Sequence, residues 1–311
     1  MEETLGIMFH HFHNDVHLRS QGSIDTNAFV NILDYLESKY KILNADIYIE
    51  KFLNKSLRKG EICLTFDDAL LCQYEIAIPV LRKRNITAFF FVYSSAFTDN
   101  PDSLEIYRYF RHKEYKDLNS FYYDFFSLIK QKYINNYQSE KETFKEIKYL
   151  TEFEFYTEND RWFRYLRDIV LTKNKYDDVM KEMMLKLSFD TRKKSLLLWM
   201  NEKDLQALSH MGHIIGLHSY NHPTAIHKLS DEEQLEEYLS NYNHLKSIIS
   251  QNNLISMSHP CGNYNSATLK ILREIGIKIG FRSNMSTKKI ISPLEIPRED
   301  HVNILKEIKN I

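Results

Sequence analysis

The stretch Glu61-Ile62-Cys63-Leu64-Thr65-Phe66-Asp67-Asp68 decides how this chain folds. A short apolar run of this kind is the pattern of a strand buried on both faces, as in parallel sheets covered by helices. It ends on two adjacent carboxylates, where parallel α/β enzymes place their catalytic groups. Side chains alternate along a strand, so the two aspartates point apart unless the strand ends there and the backbone turns. At such a turn one carboxylate can bind a cation while the other faces its water. The competing reading makes Asp68 the N-cap of a helix that begins at Ala69.

Similar apolar runs lie at 5–9 (LGIMF), 86–93 (ITAFFFVY), 213–217 (HIIGL), 254–257 (LISM) and 277–281 (IKIGF). Helical patterns follow several of them, at 26–40, 72–84, 231–250 and 265–275. This alternation predicts a parallel α/β architecture with a barrel-like sheet. No glycine falls between Gly60 and Gly212, and Pro101 is the only proline between Pro79 and Pro223, so the middle of the chain is expected to be mostly helix. The expected organisation is a catalytic body from residues 1–100 and 201–311, interrupted by a helical insertion over 101–200. That insertion holds 22 of the 41 aromatics. They read as its core, with Tyr122, Tyr156, Trp162 and Tyr165 as candidates for a sugar-stacking substrate lid.

Charge narrows the function classes. Forty-one basic residues against 42 acidic ones argue against a dedicated nucleic-acid binder. Cys63, Cys72 and Cys261 lack the close spacing of a metal or redox pair. No 18-residue apolar run is present, so no transmembrane segment is expected, and MEETLG lacks the basic-then-apolar pattern of a signal peptide. The expected compartment is the cytoplasm.

Two further constellations follow apolar runs. In Gly216-Leu217-His218-Ser219-Tyr220-Asn221-His222-Pro223 the histidines are four apart, but Ser219 stands where a zinc-protease helix needs Glu, and Gly216, Asn221 and Pro223 disfavour a helix. A strand end running into a loop, with both imidazoles turned to one cation, fits better. Asp68, His218 and His222 would then make a three-ligand site with positions open for water and substrate. The third segment, Ser256-Met257-Ser258-His259-Pro260-Cys261-Gly262-Asn263-Tyr264-Asn265, is a strand followed by a turn whose backbone N–H groups suit a developing oxyanion.

Taken in order, these segments resemble the polysaccharide deacetylases, the NodB-homology group of carbohydrate esterase family 4. TFDDA resembles that family's TFDDG, HSYNH its H-[ST]-x-x-H metal motif, and SHPCGNYN its R-x-P-x-G or Y-P-x-G-x-Y loop. The resemblance implies a distorted (β/α) barrel and a divalent-metal amide hydrolase, with zinc the usual metal and cobalt or nickel as alternatives. It implies Asp67 as general base, Asp68, His218 and His222 as metal ligands, and the Cys261 N–H in the oxyanion hole. His259, Asn263 and Tyr264 would be loop contacts to substrate.

The general acid needs a further residue. Ile7-Met8-Phe9-His10 resembles the permuted members that carry this histidine at the N-terminus, which makes His10 the first choice, with His11 and His13 in reserve. His301 is the competitor and a further substrate contact. Two departures stand out: Ala69 replaces the customary Gly, and Ser258 stands where many members have an Arg that orients the base. Arg298 is the expected substitute for that charge. The expected substrate is an N-acetylated amino sugar, nucleotide- or lipid-linked, in surface polysaccharide or capsule assembly. An N-formyl sugar, another amide of the same chemistry, or a metal-free sugar-binding role are the alternatives.

Overall fold

A computed structural model describes residues 6–151, 156–191, 197–249, 254–285 and 287–309. The chain forms two compact units, residues 1–102 with 197–311, and residues 103–196.

The first unit is built on a parallel sheet of β1 (Gly6–Phe9), β2 (Lys41–Ile42), β3 (Glu61–Asp67), β4 (Phe89–Val92), β5 (Ile214–Leu217), β6 (Ser256–Ser258), β7 (Ile279–Phe281) and β8 (Arg298–Asp300). Their order is β7-β6-β5-β4-β3-β1-β8, with β2 added on β3. A parallel bridge from Phe281 to Ile296, just ahead of β8, brings the two ends together into a nearly closed barrel. Gly280 permits that closure, because a Cβ there would sit 2.8 Å from the Leu294 backbone.

Helices α1 (Thr26–Lys39), α2 (Ala45–Leu53) and α3 (Ile78–Lys83) belong to the N-terminal part of this unit. The second unit contains α4 (Leu104–Glu114), α5 (Leu118–Lys132), α6 (Tyr137–Ile147), α7 (Glu158–Tyr165) and α8 (Lys173–Lys186). The barrel then resumes with α9 (Glu202–His210), α10 (Asp231–Ile248), α11 (Ser266–Glu274) and α12 (His301–Lys309). Among the described residues no helix is long and apolar enough to cross a membrane. The sequence pattern located the longer strands. It missed β2, whose two residues carry no periodicity.

Strand alternation divides the core into two layers. On one parity Cys63 joins Phe89, Phe91, Ile279, Phe281 and Ile296, with Tyr48 of α2 beneath them. On the other, Phe66 stacks on Phe9 and Phe90, and Phe29 of α1 meets Phe9 edge-on. Asp67 has the parity of Cys63 and Thr65, so it belongs to the first layer, inside the barrel. The second unit has its own aromatic core, where Tyr122, Trp162 and Tyr165 are all buried.

His213, just ahead of β5, lies edge-on to Phe90 and accepts the Ala88 N–H on Nδ1 at 3.1 Å, which only an unprotonated nitrogen does. Burial pushes its pKa down to about 4. The unfolded chain therefore binds a proton that the folded one refuses between about pH 6.5 and pH 4, and stability falls as pH drops through that window. This group alone accounts for about 2 kcal/mol of loss between pH 7 and pH 5. Urea denaturation at both pH values should show that increment shrinking in His213→Asn.

Candidate active site

The ends of β3, β5 and β6 converge at one mouth of the barrel. Asp67 is the last residue of β3, and Asp68 would point to the opposite face if the strand continued. The backbone instead turns left-handed, with φ +78° at Asp68 and +52° at Ala69. The turn therefore runs through the left-handed region on a non-glycine pair, at a cost of roughly 1–2 kcal/mol per residue. Ser219 (φ +64°), His222 (+53°) and Cys261 (+51°) share this conformation in the other two loops. Strain of this kind persists where the surroundings over-determine it, commonly at functional sites.

Asp68 does not cap a helix. Its Oδ1 lies 3.4 Å from Nε2 of His218 and 3.4 Å from Nε2 of His222, and it is a buried oxygen without a hydrogen-bond partner. One ligand atom from each of Asp68, His218 and His222 lies within 4.8 Å of the others. Two imidazole nitrogens and a carboxylate oxygen, with one buried oxygen left over, fit the donor set of a catalytic zinc-type site. Burial alone raises the Asp68 pKa, but the facing His222 and His218 more than offset it, and the group is held far below the usual carboxylate range.

Several groups hold these ligands in place. The Ser258 carbonyl lies 2.8 Å from Nδ1 of His218, which fixes that ring's orientation and presents Nε2 to the site. The His218 N–H donates to Asn241 Oδ1 at 3.0 Å, while Asn241 Nδ2 donates to the Val92 carbonyl. Glu237 accepts the backbone N–H groups of Tyr220 and Asn221, and the His222 N–H donates to Ser219 Oγ.

Asp67 is gripped by a different set. Arg298, fully buried, donates from Nη1 to Oδ1 and from Nη2 to Oδ2, both at 2.7 Å. Nη2 also donates to Ser258 Oγ at 2.6 Å, and Nε donates to the Arg282 carbonyl at 2.6 Å. Gly6 makes room, since a Cβ there would meet Arg298 Cγ at 3.0 Å. Burial works to raise the Asp67 pKa, but the Arg298 and His218 charges prevail and keep the carboxyl below its ordinary value. His10 Nε2 stands 3.7 Å from Asp67 Oδ2 and 4.0 Å from Asp68 Oδ2, partly exposed. Gln73 donates from Nε2 to the carbonyls of both His10 and Asp67, which ties the end of β1 to the end of β3.

The structure thus brings His10, Asp67, Asp68, His218, His222 and Arg298 together. Cys261 is exposed in the left-handed turn beyond β6. The remaining residues are occupied within the protein. His301 is buried against Phe9, with its ring nitrogens 3.2 Å and 2.9 Å from the carbonyls of Met8 and Gly22 and Nδ1 3.3 Å from Asp300, so it is placed as a strut and not beside Asp67 or Asp68. His259 is fully buried under Tyr264 with Nε2 against the Leu294 carbonyl, and burial pushes its pKa down to about 3. Tyr264 donates to Glu295, and Asn263 donates to the Thr224 carbonyl. Gln73, Asn241 and Glu237 carried no sequence signal, because each joins groups of other loops and strands that only the fold brings near. Ser258 lay inside a recognised segment, yet only as a missing arginine.

A carboxylate pair with two imidazoles at the mouth of a parallel barrel could hold a divalent cation and makes a candidate hydrolytic site. The sequence profile of the polysaccharide deacetylases matches residues 54–113 and 173–280, more than half of the chain, and the chain belongs to that family and is a hydrolase. Asp67, Asp68, His218 and His222 fall within the matched segments, whereas His10 and Arg298 fall outside them. No curated protein matches the sequence. Among solved structures, the fold is similar to the de-N-acetylase of Aggregatibacter actinomycetemcomitans (TM-score 0.57, 12% identity, 99% of this chain and 98% of that one). It is also similar to the deacetylase PplD of Streptococcus pyogenes, solved with acetate (0.54, 16%, 98% of each), and to IcaB of Ammonifex degensii (0.54, 15%, 96% and 91%).

Two outcomes test this geometry. Added Zn²⁺ at a hundredfold excess over its Kd should stabilise the protein by about 2.7 kcal/mol in thermal denaturation, with the gain absent in His218→Ala and His222→Ala. Ala69→Gly should add roughly 1 kcal/mol of stability in urea denaturation, by relieving the left-handed alanine.

Proposed function

We propose that the chain hydrolyses the N-acetyl group of an amino sugar, using a divalent cation, zinc in the first instance, held by Asp68, His218 and His222. The observation that carries this reading is the buried Asp68 oxygen facing two imidazoles and no hydrogen-bond donor. When bound, the cation supplies Lewis acidity at the amide carbonyl and acidifies water.

The chain's own residues supply the proton traffic. Asp67 is the base that takes the proton from the attacking water. Its bidentate bond to Arg298 supports this role by keeping the carboxylate ionised and aimed, and Arg298 acts through Asp67 as a positioning residue. The Cys261 N–H faces the oxyanion as the carbonyl becomes tetrahedral. His10, beside both carboxylates, gives a proton to the departing amine, because an amide nitrogen leaves poorly as an anion. The substrate class we carry forward is a nucleotide- or lipid-linked amino sugar of surface polysaccharide assembly, handled in the cytoplasm.

The test is acetate release from a panel of N-acetylated sugar nucleotides and lipid-linked sugars, measured alongside bound metal per chain. Asp67→Asn and His10→Ala should each lower kcat by about 10²- to 10⁴-fold with metal content unchanged. Arg298→Lys should lower kcat with metal retained, while Asp68→Asn should lose the metal. Full turnover by Asp67→Asn, or a wild-type protein that takes up no divalent cation, would overturn the mechanism.

A further inference from the structure

Gln73 has no part in the proton traffic assigned above, yet it is fully buried between two of the residues that carry it. Its Nε2 donates to the His10 carbonyl at 2.9 Å and to the Asp67 carbonyl at 2.6 Å. Both acceptors are carbonyls, so the amide can face them only with its nitrogen. Its Oε1 is then left buried without a hydrogen-bond partner, which a fold keeps only against a penalty. Gln73 also opens a π-helical turn, Gln73–Ala77, a rare widening of the helix that recurs at functional sites.

The two carbonyls belong to residues that are not equally held. Asp67 pairs with Phe91 in the sheet, and both Nη atoms of Arg298 grip its carboxylate. His10 lies one residue past β1, whose pairing with β3 stops at Phe9. Its ring is partly exposed, and among the described residues no hydrogen bond reaches that ring. The neighbours of the ring are His11, stacked at 6.1 Å, and the two carboxylates at 3.7 Å and 4.0 Å. Where it points is therefore set by the backbone that carries it. Ile24 holds that backbone further on, at His11 and His13, and the Phe12 N–H meets Cys72 Sγ. At His10 itself the carbonyl is held by Gln73, on the amide that also holds Asp67.

We propose that Gln73 is a positioning residue for protonation of the departing amine: one amide, anchored on Asp67, keeps His10 at its distance from the acid pair. The inference rests on the reading of His10 as the proton donor. In that step the C–N bond breaks, its electron pair goes to nitrogen, and the His10 proton is delivered there. A ring displaced by about 1 Å delivers it poorly, which lowers the rate on the order of 10²-fold.

An aryl ester separates this role from a merely structural one. When water attacks 4-nitrophenyl acetate, the C–O bond breaks and the phenolate leaves with its electron pair, needing no proton. Ester hydrolysis thus calls on Asp67 but not on the acid. Gln73→Met is close in volume and lacks the amide. On the N-acetylated sugar that the panel finds fastest, it should lose about 10- to 100-fold in kcat, with KM and bound metal unchanged. Its ester hydrolysis should stay near the wild-type rate. In a His10→Ala background the same substitution should add no further loss, because the two residues act as a unit. Gln73→Asn, one methylene short of spanning both carbonyls, should show the same selective loss and stands in should Gln73→Met fold poorly.

Equal losses on amide and ester, or a full further loss in the double variant, would overturn the proposal. Loss in His10→Ala with none in Gln73→Met sinks this inference alone, whereas full amide turnover by His10→Ala removes the acid assignment beneath it. A crystal structure of Gln73→Met reads the same claim without substrate. The His10 ring should leave its place 3.7 Å from Asp67 while the Arg298 bonds stay at 2.7 Å, and an unmoved ring would refute the positioning role.

Discussion

The buried pair between Asp67 and Arg298 is the interaction on which the rest of the site depends. Both groups give up water, a cost of several kcal/mol per ion that attraction repays only if every remaining donor and acceptor is satisfied. The barrel meets that condition. Arg298 bonds to Asp67 through both oxygens, to Thr65 and Ser258 hydroxyls, and to the Arg282 carbonyl. These partners lie on β3 and β6 and just beyond β7, so one side chain from β8 spans the interior and holds strands that are not neighbours in the sheet. Removing either charge would strand the other inside an aromatic core.

The same network reaches the candidate metal ligands through Ser258. Its hydroxyl takes part in the Arg298–Asp67 pair, while its carbonyl orients His218. The candidate base and one candidate ligand are thereby set by one residue at the end of one short strand. The left-handed backbone at Asp68, Ser219, His222 and Cys261 is the local cost of turning side chains from three parallel strands toward one point. A strand cannot present adjacent residues to the same side, and the strained turns overcome that rule where the chemistry needs it.

Much of this was legible in the residues. The run 61–68 marks a buried strand ending in carboxylates, and His218 and His222 sit beyond a second run whose Gly216 and Pro223 exclude a helix. Ala69 in place of Gly left the turn either to avoid positive φ or to be strained, and Ser258 left the positive charge to come from elsewhere. His301 shows the other side. It competed with His10 for the role of acid, but its surroundings come from β1 and from Gly22, nearly 280 residues away.

The sequence by itself determined the class of fold and pointed to Asp68, His218 and His222 as candidate ligands, because hydrophobic periodicity and turn chemistry are local and the motif residues sit at strand ends. Tertiary structure alone decided that His10 and not its competitor His301 stands beside the acid pair, that Arg298 reaches Asp67 with both nitrogens, and that Gln73 and Asn241 tie the loops together. Those are choices among chemically equivalent side chains. Only closure of the barrel, which brings β8 beside β1 and Ile296 against Phe281, sets the distances that separate one candidate from another.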